Sequence, residues 1–421
     1  MSKSSLTLVA SFGGLMLALI GAGCTTTPVS SSLNQVAATS SVTQTVASTT
    51  DTVLNQATSS TVDGGSSVGQ LISIQGVLPN FGTTTLTFVP QPDHFEGTYV
   101  TAKEHGMIYG TNATTTERWN LLLESRNTQD VTYELLVQPM KDGRGYPADF
   151  HVTNRSVSFP VYLTLLSDEG RAKIQIKTQE KIWKPQPNQS CHVSLEYPII
   201  LANSTVSQAQ ADRINQAIRT QFGETATSTI DDALQAGLND CIADQEDMPL
   251  SADEADEMSM AREFEDATSV LVTRNERGLL SLLYTGYSYT GGAHPNSFYL
   301  SQTFDLATGK ELSLRDLVRP EAVETWIQRE EQRLLRQDAG NDWLFDKETV
   351  AALASGKLKG AAASSTPAYQ SLDQWYLSNN TLVRYYQSYE IEPYAAGIPT
   401  VDLPFSAWQD LATLGAERWF R

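Results

Sequence analysis

The feature that most limits the fold of this chain is a long segment rich in serine and threonine. Residues 25–69 contain 21 Ser and Thr in 45 positions, with no Lys, no Arg and no aromatic residue. Such a segment lacks the apolar surface that would offset the conformational entropy lost on folding. We therefore expect a flexible, disordered tether over residues 24–70, with a root-mean-square span of roughly 35–40 Å.

A short apolar stretch precedes the tether. Leu6–Ile20 spans 15 residues after the basic Lys3, which is short of the ~20 apolar residues of a membrane span. The pattern predicts a signal peptide over residues 1–23. The small residues before Cys24 resemble the lipobox of bacterial lipoproteins, in which the thiol is acylated (palmitate is the expected chain). The alternative is an ordinary cleaved signal. Because Thr25 follows the cysteine, the lipobox resemblance implies an outer-membrane anchor facing the periplasm.

The charge of the chain excludes one class of partner. Its 29 basic and 48 acidic residues give a net charge of −19. Nucleic acids are bound by clustered Lys and Arg, and none are clustered here. We expect no nucleic-acid partner, and an electrostatic preference for cations.

Two folded regions follow the tether. Residues 71–180 contain short runs rich in β-forming residues, separated by Gly, Asn, Asp and Pro, which predicts an all-β meander or barrel-like domain. Lys141–Gly143 is typical of a hairpin turn. Residues 181–421 mix strands and helices without a strict βαβ rhythm, which favours an α+β region.

Local signals place elements within the α+β region. Ser207–Gln210 resembles a capping box, and the helix after it carries an apolar face and stops near Gly223. Residues 268–304 predict two or three long strands, Pro320 begins another helix, and strands return over Thr381–Ile391. The residues of the first helix's apolar face are Ala211, Ile214, Ala217, Ile218 and Phe222.

Catalytic and metal motifs are missing from the sequence. No His-Glu-x-x-His, Cys-x-x-Cys, phosphate-binding loop or Ser-x-x-Lys occurs, and the five histidines are at least 11 residues apart. We expect no cofactor, metal or catalytic residue. Gly286–Thr290 misses the Gly-x-Ser-x-Gly elbow of serine hydrolases at its last position and lacks the following helix.

Cys191 and Cys241 are the remaining thiols of an expected exported chain. A redox pair needs closer spacing, so a structural disulfide is the favoured interpretation.

Two segments are candidate binding elements. Residues 240–266 hold 11 Asp and Glu against one Arg, either as a solvated acidic loop or as an attraction for a cationic partner. The second segment is a glycine-containing loop at 291–292, where we expect at least one positive φ; it is either a structural loop or a contact surface. The candidate binding residues are Asp253, Glu254, Asp256 and Glu257 in the acidic segment, and Tyr287, Tyr289 and His294 at the loop.

Three motifs in the C-terminal half occur in a recognisable order. They are Tyr289–Pro295, Phe304–Lys310 and Tyr389–Gly397. Together they closely resemble the C-terminal domain shared by lysozyme-sensing anti-sigma factors and some peptidoglycan deacetylases. The strand at Tyr197-Pro198 and the helix at 207–222 look like the small companion domain that precedes it. The resemblance implies a companion α+β domain at 181–298 and a C-terminal α+β domain at 299–421.

The resemblance also carries an expectation of function. The chain lacks the deacetylase catalytic domain with its metal-binding histidines, and it lacks the sigma-binding segment and membrane span of the anti-sigma factors. We therefore expect a non-enzymatic lipoprotein of the cell envelope. Its partner would be a lysozyme-like cationic muramidase or peptidoglycan glycan. The alternative is a peptidoglycan-modifying enzyme or its accessory domain.

Overall fold

The computed structural model describes the chain from residue 61 to residue 420, with internal gaps. The described ranges are 61–79, 81–90, 94–101, 105–113, 118–124, 132–138, 145–152, 158–186, 189–247, 262–291, 293–339, 343–345, 347–355 and 372–420. The expected signal peptide, Cys24 and the Lys141–Gly143 turn lie outside these ranges. Among the described residues, no helix has the length and apolarity needed to cross a membrane.

The first folded unit is a closed antiparallel barrel of eight strands. Side chains alternate along each strand, so Leu86 and Phe88 are buried inside while Thr83 faces outward. The last strand pairs back onto the first through Ile74 and Leu165, which removes both sheet edges. The strands are β2 (Ile72–Leu78), β3 (Gly82–Pro90), β4 (His94–Thr101), β5 (His105–Ala113), β6 (Arg118–Glu124), β7 (Thr132–Val137), β8 (Tyr146–Val152) and β9 (Ser158–Leu165).

A seven-stranded mixed sheet forms the centre of the molecule. The strand order is β1-β10-β11-β12-β13-β14-β15, and β11 and β12 are its parallel pair. A parallel pair needs a long crossover, which two helices supply. The elements are β1 (Thr61–Gln70), β10 (Lys173–Gln186), β11 (Gln189–Leu201), α1 (Gln208–Gln221), α2 (Ile230–Asp247), β12 (Arg262–Glu276), β13 (Leu279–Tyr289), β14 (Asn296–Asp305) and β15 (Lys310–Glu311).

The predicted helix start is confirmed at α1. Ser207 and Gln210 form a capping box, and the backbone N–H of Ser207 donates to Gln210 Oε1 at 2.7 Å. Ala211, Ile214 and Ile218 are fully buried against the sheet. The helix ends at Gln221, and Gly223 follows with a φ of 84°, which glycine adopts without strain.

Within its described residues, the C-terminal part adds a three-stranded antiparallel sheet and four helices. Their own core includes Trp326, Leu334 and Trp408, and Leu271 and Leu283 of the central sheet pack against Tyr376 and Val383. The elements are α3 (Leu314–Leu317), α4 (Val323–Asp338), α5 (Lys347–Ala354), β16 (Trp375–Ser378), β17 (Thr381–Tyr385), β18 (Thr400–Pro404) and α6 (Leu414–Phe420), with 3-10 turns at Pro320–Ala322, Tyr394–Ala396, Phe405–Ala407 and Gln409–Leu411.

The barrel contacts the other parts through polar bonds. Thr98 Oγ1 donates to Val272 O at 3.0 Å, and Asn379 Nδ2 donates to Thr101 O at 3.0 Å. These bonds hold β4 against β12 and against the turn between β16 and β17. The expected fold class, a β-barrel domain before an α+β region, is confirmed.

Strands of the structure cross several of the expected boundaries. The last ten residues of the expected tether form β1, because Thr61–Gln70 pairs with the edge of β10. The boundaries at 180/181 and 298/299 fall inside β10 and β14, since both strands belong to one continuous sheet. The strand expected over Thr381–Ile391 ends at Tyr385, where the chain turns to form a loop.

Candidate functional site

A cleft lies between the barrel, the central sheet and the loop after β17. Its volume is about 680 Å³, within the ~300–1,000 Å³ usual for ligand sites. We call it the aromatic cleft. It is lined by Met107 and Tyr109 of the barrel, by Ala267, Ser269, Thr285, Gly286, Tyr287, Ser297 and Tyr299 of the sheet, and by Ser388, Tyr394, Ala395, Gly397 and Ile398 of the loop.

The chemistry of this lining is neutral. None of its residues is Asp, Glu, Lys, Arg or His; the polar groups are the hydroxyls of Ser, Thr and Tyr. Tyr287 and Tyr109 are exposed, at 39% and 38%. The cleft therefore offers aromatic faces and hydroxyl groups in a site without formal charge.

A glycine on β13 makes room for an aromatic ring on β14. Gly286 pairs directly with Phe298, and a Cβ at Gly286 would stand 2.0 Å from the Phe298 ring. Because the Phe298 ring lies directly over Gly286, there is no space for a side chain at this position. Gly286 itself lines the aromatic cleft.

Three aromatic side chains cluster beside the cleft. His294 stacks on Tyr394 with ring centroids 3.9 Å apart, and its Nε2 lies 3.2 Å from the Tyr389 hydroxyl. His294 Nδ1 lies 3.0 Å from the carbonyl oxygen of Pro295. Since a carbonyl only accepts, Nδ1 carries the hydrogen, and in the neutral ring Nε2 accepts from Tyr389. The bonds fix the tautomer and the orientation of the ring.

The backbone at Tyr389 is strained. Its φ is 65°, a region that bulky side chains rarely occupy and that costs about 1–3 kcal/mol. The side chain is 52% exposed, so little of this cost is repaid by burial. Such strain at an exposed aromatic residue is typical of functional sites.

The loop that carries Tyr389 is fixed to β14 by an amide side chain. Gln387 accepts from Tyr299 N at 3.0 Å and donates to Tyr299 O at 2.6 Å. Ser388 Oγ donates to Ser297 O at 3.2 Å. The loop therefore continues the edge of β14 and presents its aromatic residues in a fixed arrangement.

The predicted site residues lie in different parts of the structure. Tyr287 lines the cleft and His294 stands beside it, whereas Tyr289 is half-buried at the end of β13 opposite Glu265. Gly291 has a φ of 80°, as expected for this loop. The acidic candidates Asp253, Glu254, Asp256 and Glu257 lie outside the described residues.

Cys191 and Cys241 are joined by a disulfide with Cα atoms 6.0 Å apart. The bond ties α2 to β11, one of the parallel strands that this helix connects. It lies among the residues packed between the central sheet and its helices, so its position is that of a structural link. No group of three or more His, Cys, Asp and Glu capable of holding a metal ion occurs within the described ranges.

Sequence reasoning missed the contribution of the 389–397 loop to the site. In the sequence, Tyr389 and Tyr394 belong only to a family motif, and Tyr389 lies 95 residues away from the His294 that it contacts. The local sequence signal in this loop is Pro393, which precedes the turn at Tyr394–Ala396. A proline predicts the turn, but it does not indicate which residues the turn contacts.

Two protein families match the chain. The family described as Deacetylase PdaC matches residues 186–297, and the family described as Protein of unknown function (DUF3298) matches residues 315–406. No curated protein sequence matches the chain significantly.

Solved structures of the second family are similar to part of the chain. A DUF3298 family member from Bacteroides fragilis NCTC 9343 is 16% identical, with a TM-score of 0.42, and the match covers 59% of this chain and 96% of that one. A DUF3298 family protein from Pseudomonas aeruginosa PAO1 is 18% identical, with a TM-score of 0.37, and the match covers 58% of this chain and 96% of that one. The two family matches confirm the expected resemblance: one region of the chain is similar to the PdaC family, and the region that follows it is similar to the DUF3298 family.

Proposed function

We propose that this chain is a non-enzymatic lipoprotein of the cell envelope that binds cell-wall glycan in the aromatic cleft. The observation that carries the proposal is the neutral lining of aromatic rings and hydroxyls. Sugar rings have apolar C–H faces and hydroxyl edges. A tyrosine ring covers the face, while serine, threonine and tyrosine hydroxyls bond to the edge.

The arrangement of the loop favours binding of a rigid ligand. The two hydrogen bonds between Gln387 and Tyr299 fix the loop, and the His294–Tyr389 bond fixes the orientation of these two rings before a ligand binds. Because side chains that are already ordered lose less entropy on binding, this arrangement raises affinity. The open form of the cleft admits a polymer that continues beyond it.

The anchor is part of the same proposal. Acylation of Cys24 would attach the chain to the outer membrane on the periplasmic side, and the tether would give the folded part reach toward the cell wall. Cys24→Ser should move the protein from the membrane fraction to the soluble fraction. A wild-type protein that is already soluble and unacylated would contradict the anchor without affecting the glycan site.

The direct experiment is co-sedimentation of the purified protein with insoluble peptidoglycan. We expect saturable binding that Tyr287→Ala and Tyr394→Ala each weaken at least about ten-fold, by ~1.4 kcal/mol or more. Tyr162→Ala is the matched control, since Tyr162 is exposed on the barrel at 55% and lies outside the cleft. Equal loss in the control would contradict the location. Released sugar, acetate or peptide would instead support the enzyme alternative.

A cationic muramidase is the second candidate partner, favoured by the net charge of −19. Opposite charge accelerates association and is screened by salt. Neutralising Asp253, Glu254, Asp256 and Glu257 together should slow association with a basic lysozyme and leave dissociation nearly unchanged. Surface kinetics at two salt concentrations measures both rates, and a lack of saturable binding at both concentrations would exclude this partner.

A further inference from the structure

A second cleft lies where the outer face of the barrel meets β12. Its volume is about 230 Å³, below the range usual for drug-sized ligands, so it suits one small molecule. We call it the threonine cleft. It is lined by Ser73, Gln75, Thr83, Thr85, Thr87, Thr98, Val100 and Thr101 of the barrel, and by Arg171, Val272, Thr273, Arg274, Asn275, Glu276 and Asn379 across from them.

The barrel wall of this cleft is a regular array of hydroxyl groups. Thr83, Thr85 and Thr87 alternate with the buried residues of β3, so all three face outward. Across the strands, Ser73 pairs with Thr87 and Thr87 pairs with Thr98. The strands that carry these hydroxyls lie about 4.8 Å apart, and successive outward positions along one strand lie ~7 Å apart.

The array is ordered without a ligand. Ser73 Oγ lies 3.2 Å from Thr87 Oγ1, and Gln75 Nε2 donates to Thr85 Oγ1 at 2.9 Å. A hydroxyl has one donor and two acceptor sites, so each still has capacity for another partner. These hydroxyls are fixed by their hydrogen bonds and lie on the outer face of the barrel, so they are not part of its core.

The opposite wall carries an excess of positive charge. Arg171 and Arg274 line the cleft against the single carboxylate of Glu276; Asp168 and Arg277 are the further charges close to these arginines. Arg274 is 3% exposed, and its Nε is 3.6 Å from Glu276 Oε1, too far for a hydrogen bond. Arg274 Nη2 donates to Trp419 O and its guanidinium lies 5.0 Å from the centroid of the Phe420 ring, while Nε and Nη1 have no hydrogen-bond acceptor among the described residues.

This charge is only partly solvated. Burial lowers the pKa of Arg274 to about 10, and burial also lowers the pKa of Arg171. Both groups remain cations at neutral pH. A partly buried cation attracts an anion more strongly than a surface one does, because its surroundings are less polarisable than water.

We propose that the threonine cleft binds a small polyhydroxylated carboxylate, of the size and chemistry of a sugar acid. The carboxylate would lie on the arginine wall at Arg171, and the hydroxyls would bond to Ser73, Thr85 and Thr87 across the cleft. The pairing of a charged wall with a hydroxyl wall selects a ligand that carries both groups. This site is separate from the aromatic cleft and does not depend on the proposed glycan function.

Calorimetric titration of the full-length protein with three probes tests the proposal. D-glucuronate carries both groups, D-glucose carries the hydroxyls alone, and acetate carries the carboxylate alone. We expect saturable binding of glucuronate, at least ten-fold tighter than that of glucose or acetate. Equal affinity for acetate would overturn the role of the hydroxyl wall, and equal affinity for glucose would overturn the role of the arginines.

Substitutions locate the binding. Arg171→Gln and the double variant Thr85→Val/Thr87→Val should each weaken glucuronate binding ten-fold or more, and Arg171→Lys should restore part of it. Arg315→Gln and Thr227→Val change exposed residues outside the cleft and should leave the affinity unchanged. Tyr394→Ala should also leave it unchanged, which separates this site from the aromatic cleft. Undiminished binding by folded Arg171→Gln protein, checked by circular dichroism, would overturn the proposal.

Discussion

Tyr386 donates its phenolic hydrogen to the Glu330 carboxylate at 2.5 Å within the C-terminal core. Both side chains are buried, as are Arg384, 3.6 Å from Glu330, and the neighbouring Glu331. Four polar groups thus share an apolar surrounding that includes Trp326 and Trp408. One guanidinium balances only one carboxylate, and Arg384 forms its ion pair with Glu330. The second carboxyl is therefore protonated at neutral pH.

Glu331 should make stability decrease as pH rises. Burial, and then the charge of Glu330, raise its pKa from the ordinary 4.5 to about 9. The unfolded chain releases the proton above pH 4.5 while the folded chain retains it, so stability falls between pH ~5 and pH ~9. Glu331→Gln should flatten this dependence and increase the free energy of unfolding at pH 8 by about 2 kcal/mol.

The measurement is urea denaturation at pH 5 and pH 8, followed by tryptophan fluorescence. Glu330→Gln is the matched control. It weakens the pairing with Arg384 and Tyr386 and should destabilise by roughly 3 kcal/mol at both pH values. A gain at pH 8 no larger than the gain at pH 5 for Glu331→Gln would show that Glu331 is ionised in the folded protein.

Gly286→Ala should destabilise the protein and reshape the aromatic cleft. The new Cβ would stand 2.0 Å from the Phe298 ring, so the ring must move, at a cost of about 1–3 kcal/mol. Thermal denaturation and peptidoglycan binding measure the two effects. Gly415→Ala in α6 is the control, because its nearest neighbour is 3.9 Å away. It should be neutral or slightly stabilising, and equal losses at both glycines would contradict the packing argument.

Tyr389→Gly separates backbone strain from ring function. Glycine accepts the φ of 65° and relieves strain of about 1–3 kcal/mol, which offsets its own entropy cost of ~0.5–1 kcal/mol and the lost contacts with His294. We expect the stability to change by less than about 1 kcal/mol, with glycan binding weakened. Tyr389→Phe keeps the ring and should retain most binding. A large loss of stability in the glycine variant would show that the ring mainly holds the fold.

Removing the disulfide should weaken the central domain. Cys191 and Cys241 close a loop with a sequence separation of 50, for which the chain-entropy relation gives roughly 4 kcal/mol. Cys191→Ala/Cys241→Ala should lower the free energy of unfolding by an amount of this order, while Cys24→Ser should not. Two alkylatable thiols at these positions in the native protein, detected by peptide mapping, would contradict the bond.

Local chemistry in the sequence determined several parts of this protein. The capping box at Ser207–Gln210 and the stop at Gly223 define α1 because their hydrogen bonds and backbone angles involve neighbours a few residues away. The alternation along β3 likewise follows from the two-residue period of a strand. The order of three C-terminal motifs was enough to predict the resemblance that the two family matches confirm.

Only the tertiary structure decided which distant residues meet. The pairing of Ile74 with Leu165 closes the barrel, and the contact of His294 with Tyr389 builds the cluster beside the aromatic cleft. Neither partner carries a local signal for the other, because both contacts depend on how whole sheets and loops pack. For the same reason the strand expected to reach Ile391 stops at Tyr385: Gln387 bonds to Tyr299, and that long-range bond outweighs the local β preference.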